Sequence, residues 1–524
     1  MSPRRPPLGP ADRLLLAPYL TSLDAPVFVL KNLPEEVVAV LFAYYSRSRE
    51  DLRTNLLRLL QERELEVTSG SVVPEEEQLA LAREKAREFH EKWVVGYGHA
   101  SVAEHAVAHV AIEDVSILAS KVIEDARLAS YTEKSTRYVA FPRAYYAAPE
   151  LDGEGGRIYT TAIEDLFDAY ERLLPEVTGA VMAASDRSAY RTDRGFENAC
   201  RAQACDALRY LLPAATHTNI GLTANARTLE HLISKLLSHP LLEARETGER
   251  VKTEATKVIP TLIKYARRSE YRATTPPALE ALAGELLAGA RPSPEPAPAV
   301  RLLISPPDAE ARLAAAVLYE FAGAPYQAVW ETARGLSAEA RERVIAEYLQ
   351  RRVTYGAGEH GYTDPPLRSL EHLYFTFEIV LDFGAYRDIQ RHRMATQTVQ
   401  RLTCRHGYDV PERLEGAAER GSFEEAMERA ASAWSRLEAA HPEEAQYVVP
   451  LAFRRRVLFT WNLRELHHFI SLRSARQGHA AYRRVAQQVY GELARIHPLL
   501  ARFVRVDLND YELARPEPRR TGGG

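Results

Sequence analysis

The chain has 524 residues, 46% of them hydrophobic, with a net charge of -4 and a pI near 6.5. A single hydrophobic core rarely grows past about 250 to 300 residues, so two cores are expected. The near-neutral balance gives no global electrostatic case for a nucleic acid or an anionic membrane as partner, and no apolar run reaches the roughly 18 residues of a membrane span. Three cysteines, Cys200, Cys205 and Cys404, cannot form a paired framework and fit a reducing, cytoplasmic setting.

In chain order, the start MSPRRPPLGPADR has basic residues but no apolar stretch behind it, which reads against a secretory signal and for a disordered terminus. Apolar periodicity predicts amphipathic helices over Pro74–Val95 and Arg157–Ser185, with Val107–Ile112 between them as a strand. Thr223–Leu237 looks helical. From Thr274 to Pro307 the chain is Pro-rich apart from a short helical LEALAGELL, the composition of a semi-rigid linker. Val300–Ile304 is strand-like, and Phe375, Phe377, Ile379 and Leu381 alternate with mostly polar or small residues, the period of a half-buried strand. Helices are expected over Phe423–Ala440, Thr460–Leu472 and Ala480–Ala501, and the tail ARPEPRRTGGG is expected to be disordered.

The two halves repeat one another. Aligning Pro213 with Pro450 also pairs Thr223 with Thr460, Asn225 with Asn462, Arg227 with Arg464, Leu229 with Leu466, His231 with His468 and Ile233 with Ile470. Upstream, Glu104-His105 precedes Arg127 by almost the distance that separates Glu371-His372 from Arg393. The period is far longer than that of a solenoid or propeller repeat, so a duplicated domain is expected. The division read from it is 1–273, a linker 274–299, a second domain 300–513 and a tail 514–524. The fold class expected is α+β, helix-rich, with an antiparallel sheet in each domain.

Two stretches carry chemistry. Arg391-His392-Arg393 brings two guanidiniums and an imidazole into one turn, suited to clamping a diphosphate or polarising a flavin edge. With 58 Arg against 9 Lys in the chain, such a cluster alone is weak, and a solvated basic helix end is the alternative. In ASYTEKSTRY (129–138), Ser135 and Arg137 lie two apart after Glu133, a spacing that lets a hydroxyl and a fork donor share a phosphate. His105 and His109 lack a third ligand of convincing spacing and read as packed histidines, so no metal is expected. There is no P-loop and no GxGxxG fingerprint.

LEHLYFTFEIVLDFGAYRDIQRHR (370–393) and VVPLAFRRRVLFTWNLRELHHFISLR (448–473) resemble the flavin-dependent thymidylate synthase family. GHASVAEH (98–105), ASYTEKSTRY, LRYLLP (208–213) and TANARTLEHLI (223–233) match the same blocks in the same order. The resemblance implies reductive methylation of dUMP to dTMP with FAD as cofactor and with NADPH and methylenetetrahydrofolate as co-substrates, without a protein nucleophile. The cofactor would then carry the hard chemistry. It implies FAD contacts at His99, Ser101, Arg391, His392, Arg393, Asn462, Arg464, His468, Asn225, Arg227 and His231. Substrate contacts are implied at Glu133, Ser135, Arg137, Arg209, Asp388, Arg391 and Arg473, with Arg473 catalytic because it favours ionisation of the uracil ring.

In the family each site is shared between subunits, and here each half keeps what the other lacks. The second half keeps Arg391, His392, Arg393 and Arg473; the first keeps Ser135, Arg137 and Arg209. The reverse combination is broken, with Asp125-Ala126-Arg127 and Leu236 in one half and Arg401, Thr403 and Gln446 in the other. One composite site per chain is therefore expected, and a homodimer would supply the four domains of a tetramer. Asp388 stands where the family usually has Gln, His468 and His231 where it has Asn, and Pro366 and Arg368 where it has the His and Ser of the GHxS block. The alternative function is a degenerate duplicate that binds flavin or nucleotide without making dTMP.

Overall fold

The computed structural model describes residues 8–44, 50–61, 75–92, 100–137, 140–143, 145–151, 153–289, 299–355 and 362–511. It divides into two compact units, the first comprising residues 1–115, 122–134 and 218–288, the second 116–121, 135–217 and 289–524. Compactness and the sequence repeat thus divide the chain differently, because residues 135–217 of the first half belong to the second unit.

The first unit holds strands β1 (Val107–Ser116), β2 (Ala129–Glu133) and β3 (His217–Asn225) in the order β1-β3-β2. β2 and β3 are antiparallel, with Tyr131 opposite Leu222 and Glu133 opposite Ile220. Thr218, Ile220, Leu222 and Ala224 alternate inward along β3, the two-residue period of a sheet with one packed face.

The second unit holds β4 (Val300–Ile304), the short pair β5 (Thr354–Tyr355) and β6 (Tyr362–Thr363), then β7 (Tyr374–Asp382), β8 (Thr396–Val399) and β9 (Arg454–Asn462). Its main sheet has the order β4-β7-β9-β8 and is antiparallel throughout. Without β4 this is the first unit's order again, so the repeat has a structural counterpart. Phe375, Phe377, Ile379 and Leu381 are buried as their alternation predicts. Phe459, Trp461 and Phe469 stack with centroids 4.6 and 4.8 Å apart, packing the sheet against the helix Leu463–Arg473.

The segments Thr223–Leu237 and Thr460–Leu472 are not helical throughout, as their periodicity suggests. Each begins as strand, turns at an asparagine and continues as helix: Asn225 accepts from the Thr228 amide, and Asn462 from the Glu465 amide, both at 2.9 Å. A carboxamide oxygen at this position satisfies a helix-start N–H and stabilises the helix by about 1 kcal/mol. That is a structural reason for the repeat to keep both asparagines.

The Pro-rich joint differs from expectation as well. A helix, Glu270–Leu286, runs through Pro276 and Pro277 and buries none of its residues. Exposure to water satisfies the carbonyls that the two prolines leave unpaired. The helices Ala309–Ala322, Tyr326–Gly335 and Ala338–Leu349 are additions to the expected set. Arg157–Ser185 corresponds to Gly153–Ala184 and Phe423–Ala440 to Arg420–Leu437. The helix from Ala480 ends at Ile496, where Pro498 starts a new turn.

Within the second unit the repeat's Leu212-Pro213 and Val449-Pro450 segments meet. Pro213 and Pro450 form an antiparallel bridge. Amides of Ala214 and Ala215 donate to Val449 and Tyr447, and those of Leu451 and Ala452 donate back to Leu212 and Tyr210, at 2.9 to 3.1 Å. This exchange anchors Arg209, one residue before Tyr210, inside the second unit.

Candidate functional site

The helix Asp193–Leu208 ends in a tight turn that carries Arg209 into the interior. Arg209 is 2% exposed, and its Nε and Nη2 have no hydrogen-bond partner among the described residues. Buried guanidinium donors without acceptors are costly, and native interiors rarely tolerate them without a ligand, water or ion. The nearest carboxylates are Asp206, one helical turn back, and Asp388, each 3.8 Å away.

Asp206, 1% exposed, accepts both ends of the Arg137 fork, from Nε at 2.8 Å and Nη2 at 3.1 Å. Burial works against the Asp206 carboxylate, yet the charges of Arg209 and Arg137 hold its pKa below the ordinary value. For Arg137, burial opposes the charge and Asp206 outweighs it, so the guanidinium is held above its usual range. His479 caps the helix Ala480–Ile496 through Nδ1, which accepts from the Ala481 amide at 3.2 Å. Burial, then Arg209, pushes its pKa down to about 3, so the ring is neutral and its proton sits on Nε2, 3.9 Å from Asp206.

From the second half come Asp388, in the helix Phe383–Ile389, and Arg473, at the end of Leu463–Arg473. Arg473 donates from Nε to His392 Nε2 at 2.9 Å. Burial, then Arg473 and His468, hold the His392 pKa well below its ordinary value. Arg387 donates to Thr136 Oγ1 at 3.2 Å, a further tie between the two sequence halves inside one unit. Ser135 Oγ accepts from the Arg137 amide at 3.2 Å. Arg137 and Arg209, read from the first half, therefore stand with Asp388 and Arg473 within one chain.

A cavity of about 1140 Å³ adjoins this cluster, lined by Asn462, Arg464, His468, Leu472, Ser474 and Met394 among others. It is as large as the biggest small-molecule pockets. The His468 ring lies 5.5 Å from that of His392, which links the cavity wall to Arg473. Arg464 donates to Pro366 O at 2.7 Å and to Glu371 at 3.1 Å. Pro366 and Arg368 line the same cavity. Arg391 is exposed and Arg393 half-buried beside buried His392.

The remaining expected residues that the structure describes belong to the first unit. Asn225 caps its helix, Arg227 pairs with Glu104, and His231 and Ser101 are exposed. Glu133 is buried at the end of β2. His99 lies outside the described residues. The Glu104–Arg227 pair is the counterpart of Glu371–Arg464, so both repeats keep the same ion pair.

Sequence reasoning missed Asp206, His479 and Tyr482. The D-x-x-R spacing of Asp206 to Arg209 was the available signal. A second cavity of about 1180 Å³ is lined by Asp382, Asp409, Tyr210, Tyr408, Arg413 and His479 among others. The Asp382 carboxyl is pushed up to about 7 by burial and then by Asp409. Burial raises the Cys404 thiol, which works against a thiolate there, and Cys200 and Cys205 are buried. Among the described residues, no group of three or more His, Cys, Asp or Glu side chains could hold a metal ion, and no helix is long and apolar enough to cross a membrane.

The family profile described as "Thymidylate synthase complementing protein" matches residues 42–261 and 301–499. A UPF0159 protein of Chlamydia muridarum is 35% identical over 522 residues, covering 96% of each chain. A UPF0159 protein of Thermoplasma acidophilum is 30% identical over 481 residues, covering 83% of this chain and 91% of its own. A flavin-dependent thymidylate synthase of Clostridium tetani is 29% identical over 190 residues, 36% of this chain and 72% of its own. Among solved structures, a flavin-dependent thymidylate synthase of Helicobacter pylori complexed with FAD and dUMP is similar at 21% identity and a TM-score of 0.29. That match covers 39% of this chain and 98% of the other.

Proposed function

Because the chain belongs to the flavin-dependent thymidylate synthase family, we propose that it methylates dUMP reductively to dTMP at one composite site per chain. FAD is the cofactor, and methylenetetrahydrofolate and NADPH are the co-substrates. The observation that carries this reading is Arg209, buried with two unused donors beside Arg137, Asp388 and Arg473. The protein is read as cytoplasmic, built from two family-like domains (1–273 and 300–513) and working as a homodimer.

The donor set fits both ligands. An anionic nucleotide supplies the acceptors that Arg209 lacks, with Arg137 and the Ser135 hydroxyl beside it. On this reading the flavin would be held in the cavity next to His392, whose wall includes Asn462, Arg464 and His468. FAD, when bound, supplies the redox chemistry and the handling of the one-carbon unit. The chain's own groups hold charge in place. Arg473 keeps its guanidinium charged despite burial, as its type does, and a fixed cation near the uracil edge stabilises the ring anion. Neutral His392 takes the Arg473 Nε–H and so fixes the direction of that fork.

The second reading, a flavin or nucleotide binder without synthase activity, draws on Asp388. Its carboxylate, 21% exposed and 3.8 Å from Arg209, offsets part of the positive charge that a phosphate would use. One experiment separates the two: the purified chain with dUMP, methylenetetrahydrofolate, NADPH and FAD under anaerobic conditions, assayed for dTMP. Formation of dTMP supports the synthase; bound flavin with no dTMP sinks it in favour of the binder.

A further inference from the structure

Arg473 closes one helix, and the next begins at Ala480; the six residues between them bring Tyr482 into the site. Gly478 makes that possible, since a Cβ there would fall 2.7 Å from Tyr482 Cε2 and 2.9 Å from Arg483 Cγ. Tyr482 is 5% exposed. Its hydroxyl accepts from Arg137 Nη1 at 3.4 Å, and its ring centroid lies 5.3 Å from the Arg473 guanidinium carbon. Two like charges, one from each sequence half, thus meet on a single phenol. The oxygen accepts from Arg137 and also interacts with Arg473, which lies beside the ring, so each cation gains a partner that offsets their repulsion.

We propose that Tyr482 is a positioning residue that sets the separation of Arg137 and Arg473 and so couples the grip on a nucleotide's phosphate to the grip on its base. This rests on the dUMP reading above. Phenylalanine at 482 keeps the ring beside Arg473 but removes the oxygen that meets both guanidiniums. A nucleotide therefore loses support at both ends, a nucleoside only at the base end. Alanine at 478 acts on the same phenol from outside the site, by pushing the ring aside.

The test is calorimetric titration of the full chain with dUMP and with deoxyuridine, which lacks the phosphate. Wild type binds dUMP more tightly. Tyr482→Phe weakens dUMP by roughly 3- to 10-fold, the range of one ordinary hydrogen bond, weakens deoxyuridine by less, and leaves flavin affinity unchanged. In turnover the same variant raises KM for dUMP by a larger factor than it lowers kcat. Gly478→Ala narrows the dUMP-to-deoxyuridine ratio in the same direction. An unchanged ratio in Tyr482→Phe overturns the proposal, whether or not Gly478→Ala folds. A wild-type chain that binds dUMP no more tightly than deoxyuridine overturns the dUMP reading itself, and the proposal with it.

Discussion

Arg473 and His392 form a one-way hydrogen bond: guanidinium Nε–H donates to imidazole Nε2 at 2.9 Å, so the histidine accepts there and carries its proton on Nδ1. An imidazolium would have no lone pair to offer and would add a second charge beside Arg473. Nitrogen NMR of the labelled protein is therefore expected to find His392 as the Nδ1–H tautomer, with no titration between about pH 5.5 and 8, where an ordinary histidine changes charge. A His392 signal that titrates near 6.5 contradicts this arrangement.

Asp206 is the carboxylate that holds Arg137 and stands by Arg209 and His479. Removing one partner of a buried ion pair leaves the other charge uncompensated, at a cost of about 3 kcal/mol or more. Asp206→Ala is expected to lower the urea midpoint accordingly. Adding dUMP recovers part of the loss, since a bound anion substitutes for the missing carboxylate. A midpoint within error of wild type would mean that Arg137 and Arg209 rely on other partners.

Asp382 caps the helix Phe383–Ile389 by accepting from the Ala385 amide at 2.7 Å. Its folded pKa is raised to about 7, above the roughly 4 of the unfolded chain. Between those values the unfolded state has released the proton and the folded state retains it, so stability falls as pH rises from about 4 to 7 and levels off above. Asp382→Asn keeps the cap and removes the titration. Its melting temperature relative to wild type is expected to climb across that window; a constant difference would argue that Asp382 titrates normally.

The duplicated ion pairs make unequal predictions. Glu104 and Arg227 are both nearly half exposed, and such pairs contribute about 1 kcal/mol or less, so Glu104→Gln is expected to leave the urea midpoint almost unmoved. Arg464 lines the large cavity and also holds Pro366 O. On the flavin reading, Arg464→Ala weakens FAD by at least about tenfold in fluorescence titration, as loss of a charge-assisted contact does. Equal flavin affinity in that variant would place the cofactor elsewhere.

The sequence made the repeat, the α+β class and the alternating strand Phe375–Leu381 legible because period and identity are local properties. It missed the strand-to-helix switch at Asn225 and Asn462, where an apolar pattern continues smoothly from one period into the other and only a cap marks the change. It also missed Asp206 and Tyr482, whose partners lie 69 and 345 residues from them in the chain. A residue that acts by holding another has no motif of its own. Arg137, Arg209 and Arg473 were visible by resemblance; what keeps them in place was visible only once the chain had folded.

The exchange of amides around Pro213 and Pro450 has the form of a two-fold contact, yet both strands of it belong to one polypeptide. Between identical subunits every substitution in such a contact arises twice and must suit both sides at once. Fusion removes that obligation. Arg209 and Gln446, four residues before Pro213 and Pro450, illustrate the freedom: one is buried with donors to spare, while the other accepts from the Leu402 amide and donates to Glu443. A pseudo-symmetric joint of this kind fixes geometry for both halves and leaves each free to specialise its chemistry.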